Sequence, residues 1–114
     1  MEREVPRVKI KKRVSVKGEK FMIYDYSYDI STKGIRIYSF YKINPGKEVE
    51  INFMNEENKP VKISGKVVWT DEIDKEGQWF SGILFTPKEH EITELEKLKN
   101  FLNPNLKSDK NNED

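Results

Sequence analysis

Apolar and polar positions alternate along most of this chain. Val8, Ile10, Val14 and Val16 share one parity, interrupted by Lys12, so 8–16 reads as a strand with one wet face. After a turn at Gly18, Met22, Tyr24, Tyr26, Tyr28 and Ile30 share a face of a second strand at about 20–29. A third strand follows at 34–40. Asn44-Pro45-Gly46 signals a turn, and Val49, Ile51 and Phe53 alternate in a fourth strand. Beyond a polar loop, Val61, Ile63, Gly65, Val67 and Trp69 mark a fifth, and 78–86 a sixth. Short half-apolar strands at regular intervals predict a mainly β domain, a six-stranded antiparallel barrel or sandwich.

The period then changes. Thr86-Pro87-Lys88-Glu89 reads as a capping box with proline at the first helical position, and Ile92, Leu95, Leu98 and Leu102 recur at helical spacing. This predicts one C-terminal amphipathic helix that stops at Asn103-Pro104-Asn105. Residues 1–7 lack periodicity and read as a flexible extended arm. Residues 104–114 read as a disordered polar tail, leaving 8–103 as the folded unit, with no preceding domain expected.

Composition narrows the functions available. The 114 residues suffice for one domain, and 35% apolar against 36% charged residues implies a thin core beneath a solvated surface. A net charge of +1 gives no global field for a nucleic acid polymer, so any anion site must be local. With no cysteine and one histidine, His90, thiolate catalysis and histidine metal clusters are not expected, and no nucleophile is spaced beside a base. No metal site and no enzyme activity are expected. No apolar run approaches the roughly 18 residues of a membrane span, so no membrane insertion is expected and a cytoplasmic domain is the default.

Candidate chemistry collects at two places. Asp29-Ile30-Ser31-Thr32-Lys33-Gly34 carries D-x-S-x-x-G in the turn after the second strand, with Asp29 and Ser31 two residues apart and directed to one side of the sheet. Arg3 and Arg7 form R-x-x-x-R on the arm. Only four of the 21 basic residues are arginine (Arg3, Arg7, Arg13 and Arg36), so two on the arm suggest that the guanidinium fork itself is required.

R-x-x-x-R before the first strand and D-x-S-x-x-G between the second and third, with Gly65-Lys66-Val67-Val68-Trp69, Gly82-Ile83-Leu84-Phe85 and a closing helix, resemble the PilZ family from Arg3 to Leu102. The resemblance implies a β-barrel that binds the bacterial second messenger cyclic di-GMP. Arg3 and Arg7 would close over the ligand, and Asp29, Ser31 and Gly34 would hold it on the barrel surface. It also implies a receptor or adaptor that acts on a protein effector such as motility, pilus or exopolysaccharide machinery. Glu2 stands where many relatives carry a basic residue, which leaves ligand stoichiometry open.

The chemistry fits the implied ligand. Guanine O6 and N7 match two parallel guanidinium donors, and an acidic group can accept from guanine N1 and N2. Two alternatives stand beside this reading: a PilZ-fold interaction module that binds no nucleotide, and an OB-like single-strand binder using Tyr24, Tyr26 and Tyr28. The parity of the tyrosines places them in core or cross-strand packing, and that of Trp69 places it in the core; stacking of Trp69 on a guanine is the alternative. The nucleotide reading requires that folding bring the arm across from the acidic hairpin corner.

Overall fold

In a computed structural model, residues 7–55, 58–73 and 77–113 are described, with side chains as far as Leu102. The strands are β1 (Val8–Lys9), β2 (Arg13–Lys17), β3 (Met22–Ile30), β4 (Gly34–Ser39), β5 (Glu48–Met54), β6 (Pro60–Glu72) and β7 (Trp79–Phe85). All pairings are antiparallel, in the order β3-β2-β5-β6-β7-β4, and β4 returns to β3, closing a six-stranded barrel with β1 added beside β3. The predicted fold class is correct.

The expected first strand is divided in two. β1 pairs Val8 with Ile30 and Lys9 with Asp29, and β2 pairs Arg13–Lys17 with Tyr26–Met22 on the same partner strand. Ser27 bridges the break: its N–H donates to the Lys12 carbonyl at 2.8 Å, and its Oγ accepts from the Lys12 N–H at 2.9 Å and donates to the Ile10 carbonyl. A buried serine thus supplies the partners that a continuous ladder would have provided.

The barrel interior holds Val14, Val16, Ile35, Ile37, Ile51, Ile63, Val67 and Ile83. Met22, Tyr24 and Tyr26, whose shared parity is read as core or cross-strand packing, lie on the outside of the barrel, and the inward positions of that strand include Ile23 and Ser27. Tyrosine tolerates the outer position because cations cover the rings: Lys11 Nζ lies 4.9 Å and Arg13 Cζ 5.5 Å from the Tyr26 centroid, and Lys9 Nζ 5.6 Å from that of Tyr28.

Two bulges reset the alternation. Register shifts between Ser27 and Asp29 against β4, and between Val67 and Trp69 against β7, leave Tyr28 and Val68 as extra residues. Past each bulge the faces exchange. Ile30 enters the core opposite Ile35, and Trp69, expected in the core, comes to the outer surface opposite Gly82.

A 3-10 turn, Glu89–Glu91, leads into α1 (Ile92–Glu113). The cap is displaced from the predicted Thr86 to Lys88, whose N–H donates to Glu91 Oε1 at 2.9 Å. The same carboxylate accepts from the Ser64 N–H at 3.1 Å and the Ser64 hydroxyl at 2.9 Å, fastening the helix start to β6. Leu98, Phe101 and Leu102 close the barrel end, with Phe101 5.5 Å from Phe53 between centroids; Ile92, expected on the apolar stripe, is exposed. The helix also continues past Asn103-Pro104-Asn105 to Glu113, where a stop and a disordered tail are predicted. Proline removes one ladder bond and costs about 3 kcal/mol in a helix interior, a penalty that weakens a helix without always ending it.

Burial pushes the Glu91 carboxyl up, but hydrogen bonds from Lys88 and Ser64 outweigh this and hold its pKa below the usual value. Glu91→Ala leaves those donors without their acceptor and is expected to lower the unfolding free energy by about 1–3 kcal/mol in urea titrations. Glu91→Gln, which keeps one acceptor oxygen, is expected to lose less.

Candidate functional site

The β3–β4 turn is held by its own serine. Ser31 Oγ accepts from the N–H groups of Lys33 and Gly34, both at 3.1 Å, and the Ser31 N–H donates to the Gly34 carbonyl at 2.8 Å. Ser31 is fully buried, so its side chain shapes the turn from within. Gly34 is required by packing: a Cβ there would lie 2.4 Å from the Ile83 carbonyl oxygen on β7.

Asp29 turns outward after the Tyr28 bulge and lies directly opposite Arg36. Arg36 Nε donates to Asp29 Oδ1 and Oδ2, both at 2.9 Å, and its terminal Nη2 also donates to Oδ2. From the other side, β1 pairing sets Arg7 beside the carboxylate, and Arg7 Nε donates to Oδ1 at 2.9 Å. The base of the arm therefore meets the acidic corner, as the nucleotide reading requires. Arg3 lies outside the described residues.

The two guanidinium groups cover Asp29 almost completely, leaving the residue 1% exposed. Both carboxylate oxygens are occupied by contacts with the two arginines. Arg7 spends only Nε on this contact, and among the described residues its two terminal nitrogens carry no hydrogen bond. Those are the donors available to a planar acceptor edge or a phosphate.

Cross-strand pairing continues the row. Asp29 on β3 opposes Arg36 on β4, Arg36 opposes Gly82 on β7, and Gly82 opposes Trp69 on β6. A Cβ at Gly82 would lie 2.3 Å from the indole of Trp69, so only glycine lets that ring lie across the neighbouring strand. Phe80 braces the indole edge-on at 5.4 Å, and the Arg36 guanidinium lies 5.4 Å from the Tyr28 centroid and 5.6 Å from that of Phe80.

These residues border an open pocket of about 310 Å³ whose lining includes Arg7, Lys33, Gly34, Arg36 and Trp69. It lies near the lower end of the range for ligand sites, roughly 300–1,000 Å³. Its lining carries three cations and no carboxylate, which makes a local anion site on a nearly neutral chain. Of the residues singled out from sequence, Arg7 and Gly34 line the pocket, while Asp29 and Ser31 support it from beneath. Arg36, not singled out for the site from sequence, and Trp69, weighed for stacking but assigned to the core, also line it. Among the described residues, no group of three or more His, Cys, Asp or Glu side chains could hold a metal, and no helix is long and apolar enough to cross a membrane.

A small closed barrel with an arginine-lined pocket beside one hairpin turn is a recognisable class of domain. The PilZ domain family model matches residues 2–103, and the chain belongs to that family. Its structure is similar to that of MrkH of K. pneumonia in its apo state, with a TM-score of 0.75 and 12% identity over 98% of this chain and 55% of that one. It is also similar to the Bacillus subtilis inhibitor of motility MotI/DgrA, with a TM-score of 0.71 and 15% identity over 94% of this chain and 53% of that one. The PilZ domain of CeSA from a cellulose synthesizing bacterium gives a TM-score of 0.63 and 12% identity over 82% and 93%. The chain thus spans about half the length of the first two proteins. No curated protein sequence matches it.

Burial pushes the Asp29 carboxyl up, but hydrogen bonds and charge from Arg36 and then Arg7 outweigh this and hold its pKa below the usual value. A carboxyl depressed on folding stabilises the protein above its unfolded pKa, about 3.9, and that contribution is lost as pH falls through the folded value. The wild type is therefore expected to lose stability below about pH 4 in urea titrations across pH. Asp29→Asn is expected to be less stable at neutral pH and to show a shallower acid loss, with Glu91 still contributing.

Proposed function

We propose that this domain is a cyclic di-GMP receptor that passes its signal on by contact with a partner protein. Membership of the PilZ family supports the receptor or adaptor class. The observation that carries the ligand reading is the Arg7–Asp29–Arg36 constellation beside an open, cation-lined pocket with Trp69 in its wall.

In this reading Arg7 presents its terminal nitrogens to a guanine O6/N7 edge or to a phosphate. Trp69 offers a stacking face to a purine, and Lys33 adds positive charge. Asp29 and Ser31 act as positioning residues: one aims the guanidinium groups, and the other fixes the turn. Gly34 keeps β4 against β7 at the pocket edge. Arg3, the second arginine of the motif, joins Arg7 over the ligand, and the changed surface of the arm is what a partner reads.

The alternative is a PilZ-fold interaction module without nucleotide. It is favoured by the saturation of Asp29, because a carboxylate already shared by two arginines can serve as a structural latch.

Titration calorimetry with cyclic di-GMP, cyclic di-AMP and GTP separates the two readings. Binding selective for cyclic di-GMP is expected, and Arg7→Ala is expected to cost about 1–3 kcal/mol, a loss of about five- to 150-fold. Arg7→Lys is expected to lose nearly as much, because it keeps the charge and removes the fork. Trp69→Ala is expected to cost about 1–3 kcal/mol if the indole stacks on a base. No heat with any nucleotide, with the fold intact, would leave the interaction module.

A further inference from the structure

A second groove lies at the other end of β3 and β4. Tyr41–Asn44 and Lys47 lie beside Phe21–Tyr24, and together they border about 710 Å³, more than twice the volume of the arginine pocket. Met22, Tyr24, Tyr41, Lys42, Ile43 and Lys47 are among its lining residues. Met22 is 47% exposed, Tyr24 66% and Tyr41 65%, so three large, largely apolar side chains share one small region of surface. Such a patch on a domain with so thin a core marks a contact surface.

The groove is preformed. Ile43 is buried, and its carbonyl accepts from the Thr70 hydroxyl at 2.6 Å. The Gly46 N–H donates to the Val67 carbonyl at 2.7 Å, and the Val67 N–H returns to the Lys47 carbonyl at 2.9 Å. The Tyr41 N–H donates to Ser39 Oγ at 2.8 Å. A segment tied down at three places has little left to lose in entropy when something docks on it.

Charge selects the occupant. Lys42 and Lys47 line the groove and no carboxylate does. Recognition in this groove runs through the side chains that line it. A concave apolar surface suits a folded or extended peptide segment better than a flat lipid surface.

We propose that this groove docks an acidic, apolar segment of a partner protein. Its aliphatic or aromatic side chains enter beside Met22 and Tyr41, and its carboxylates meet Lys42 and Lys47. At about 3.4 Å per residue, the groove residue on β3 nearest the arginine site, Tyr24, lies roughly 17 Å along the strand from Asp29, so the two sites do not overlap. Docking here does not depend on nucleotide binding at the other end.

The test uses the full chain without nucleotide. Fluorescence anisotropy follows a labelled amphipathic peptide with a Leu/Phe face and a Glu face, alongside its counterpart with Lys in place of Glu. The acidic peptide is expected to bind at least about tenfold more tightly, and Tyr41→Ser to weaken it about tenfold, as for an aromatic anchor. The double variant Lys42→Glu/Lys47→Glu is expected to reverse the preference. Equal binding of both peptides, or indifference to these exposed substitutions, overturns the proposal. So does co-sedimentation with phosphatidylglycerol vesicles that Tyr41→Ser abolishes while neither peptide binds, which would assign the groove to lipid. A dimer in sedimentation velocity that Tyr41→Ser dissolves would assign it to a second copy and likewise overturn the proposal.

Discussion

Everything at the arginine pocket depends on one extra residue in each of two strands. With strict alternation from Ser27, Asp29 would face the barrel interior and Ile30 the solvent. The Tyr28 bulge reverses both, giving Ile30 to the core and Asp29 to the surface row with Arg36. An ionised carboxylate among the interior valines and isoleucines would cost many kcal/mol. The Val68 bulge makes the equivalent exchange on β6 and brings Trp69 across Gly82. The two irregularities converge because β4 and β7 lie between the bulged strands, so the row from Asp29 through Arg36 and Gly82 to Trp69 spans four adjacent strands. Bulges beside sites commonly re-aim a side chain in this way.

The same feature explains what the sequence revealed and what it concealed. Period-two alternation located the barrel strands, and the change of period located the helix, because those signals are local. Parity, however, was carried across positions where the register shifts. Trp69 shares parity with Val61, Ile63 and Val67, and only an unpaired Val68 makes that inference fail. No composition rule marks Val68 as the extra residue; its partner strand does.

For the tyrosine row, core or cross-strand packing was read from the parity shared with Met22 and Ile30, and Ile30 lies beyond the bulge, so the core half of that reading does not hold for Tyr24 and Tyr26. Lys11 and Arg13 share a face of the preceding strand region, and pairing that face with the tyrosines would have identified the row as solvated, with cations over the rings. Arg36 was legible in principle. It is one of four arginines in the chain and lies two residues beyond Gly34, on the strand that leaves the motif turn. The D-x-S-x-x-G pattern drew attention to the turn, whereas the partner of Asp29 sits just after it.

The two arginines on Asp29 are not equivalent, and the difference divides their work. Arg36 is anchored by a fork onto both carboxylate oxygens and by the rings of Tyr28 and Phe80. Moving it would break charge-assisted hydrogen bonds and ring contacts together. Arg7 is held through Nε alone, and its side chain is 36% exposed. A single partly exposed ion pair of this kind contributes about 1 kcal/mol or less. Arg7 can therefore be re-aimed at an incoming anion at small cost, while Arg36 stays on Asp29 and prevents the buried carboxylate from being stranded without a counter-charge. One arginine forms the fixed floor and the other the movable edge. In the proposed receptor the carboxylate between them would let Arg7 turn to a ligand while Arg36 still balances the charge beneath it.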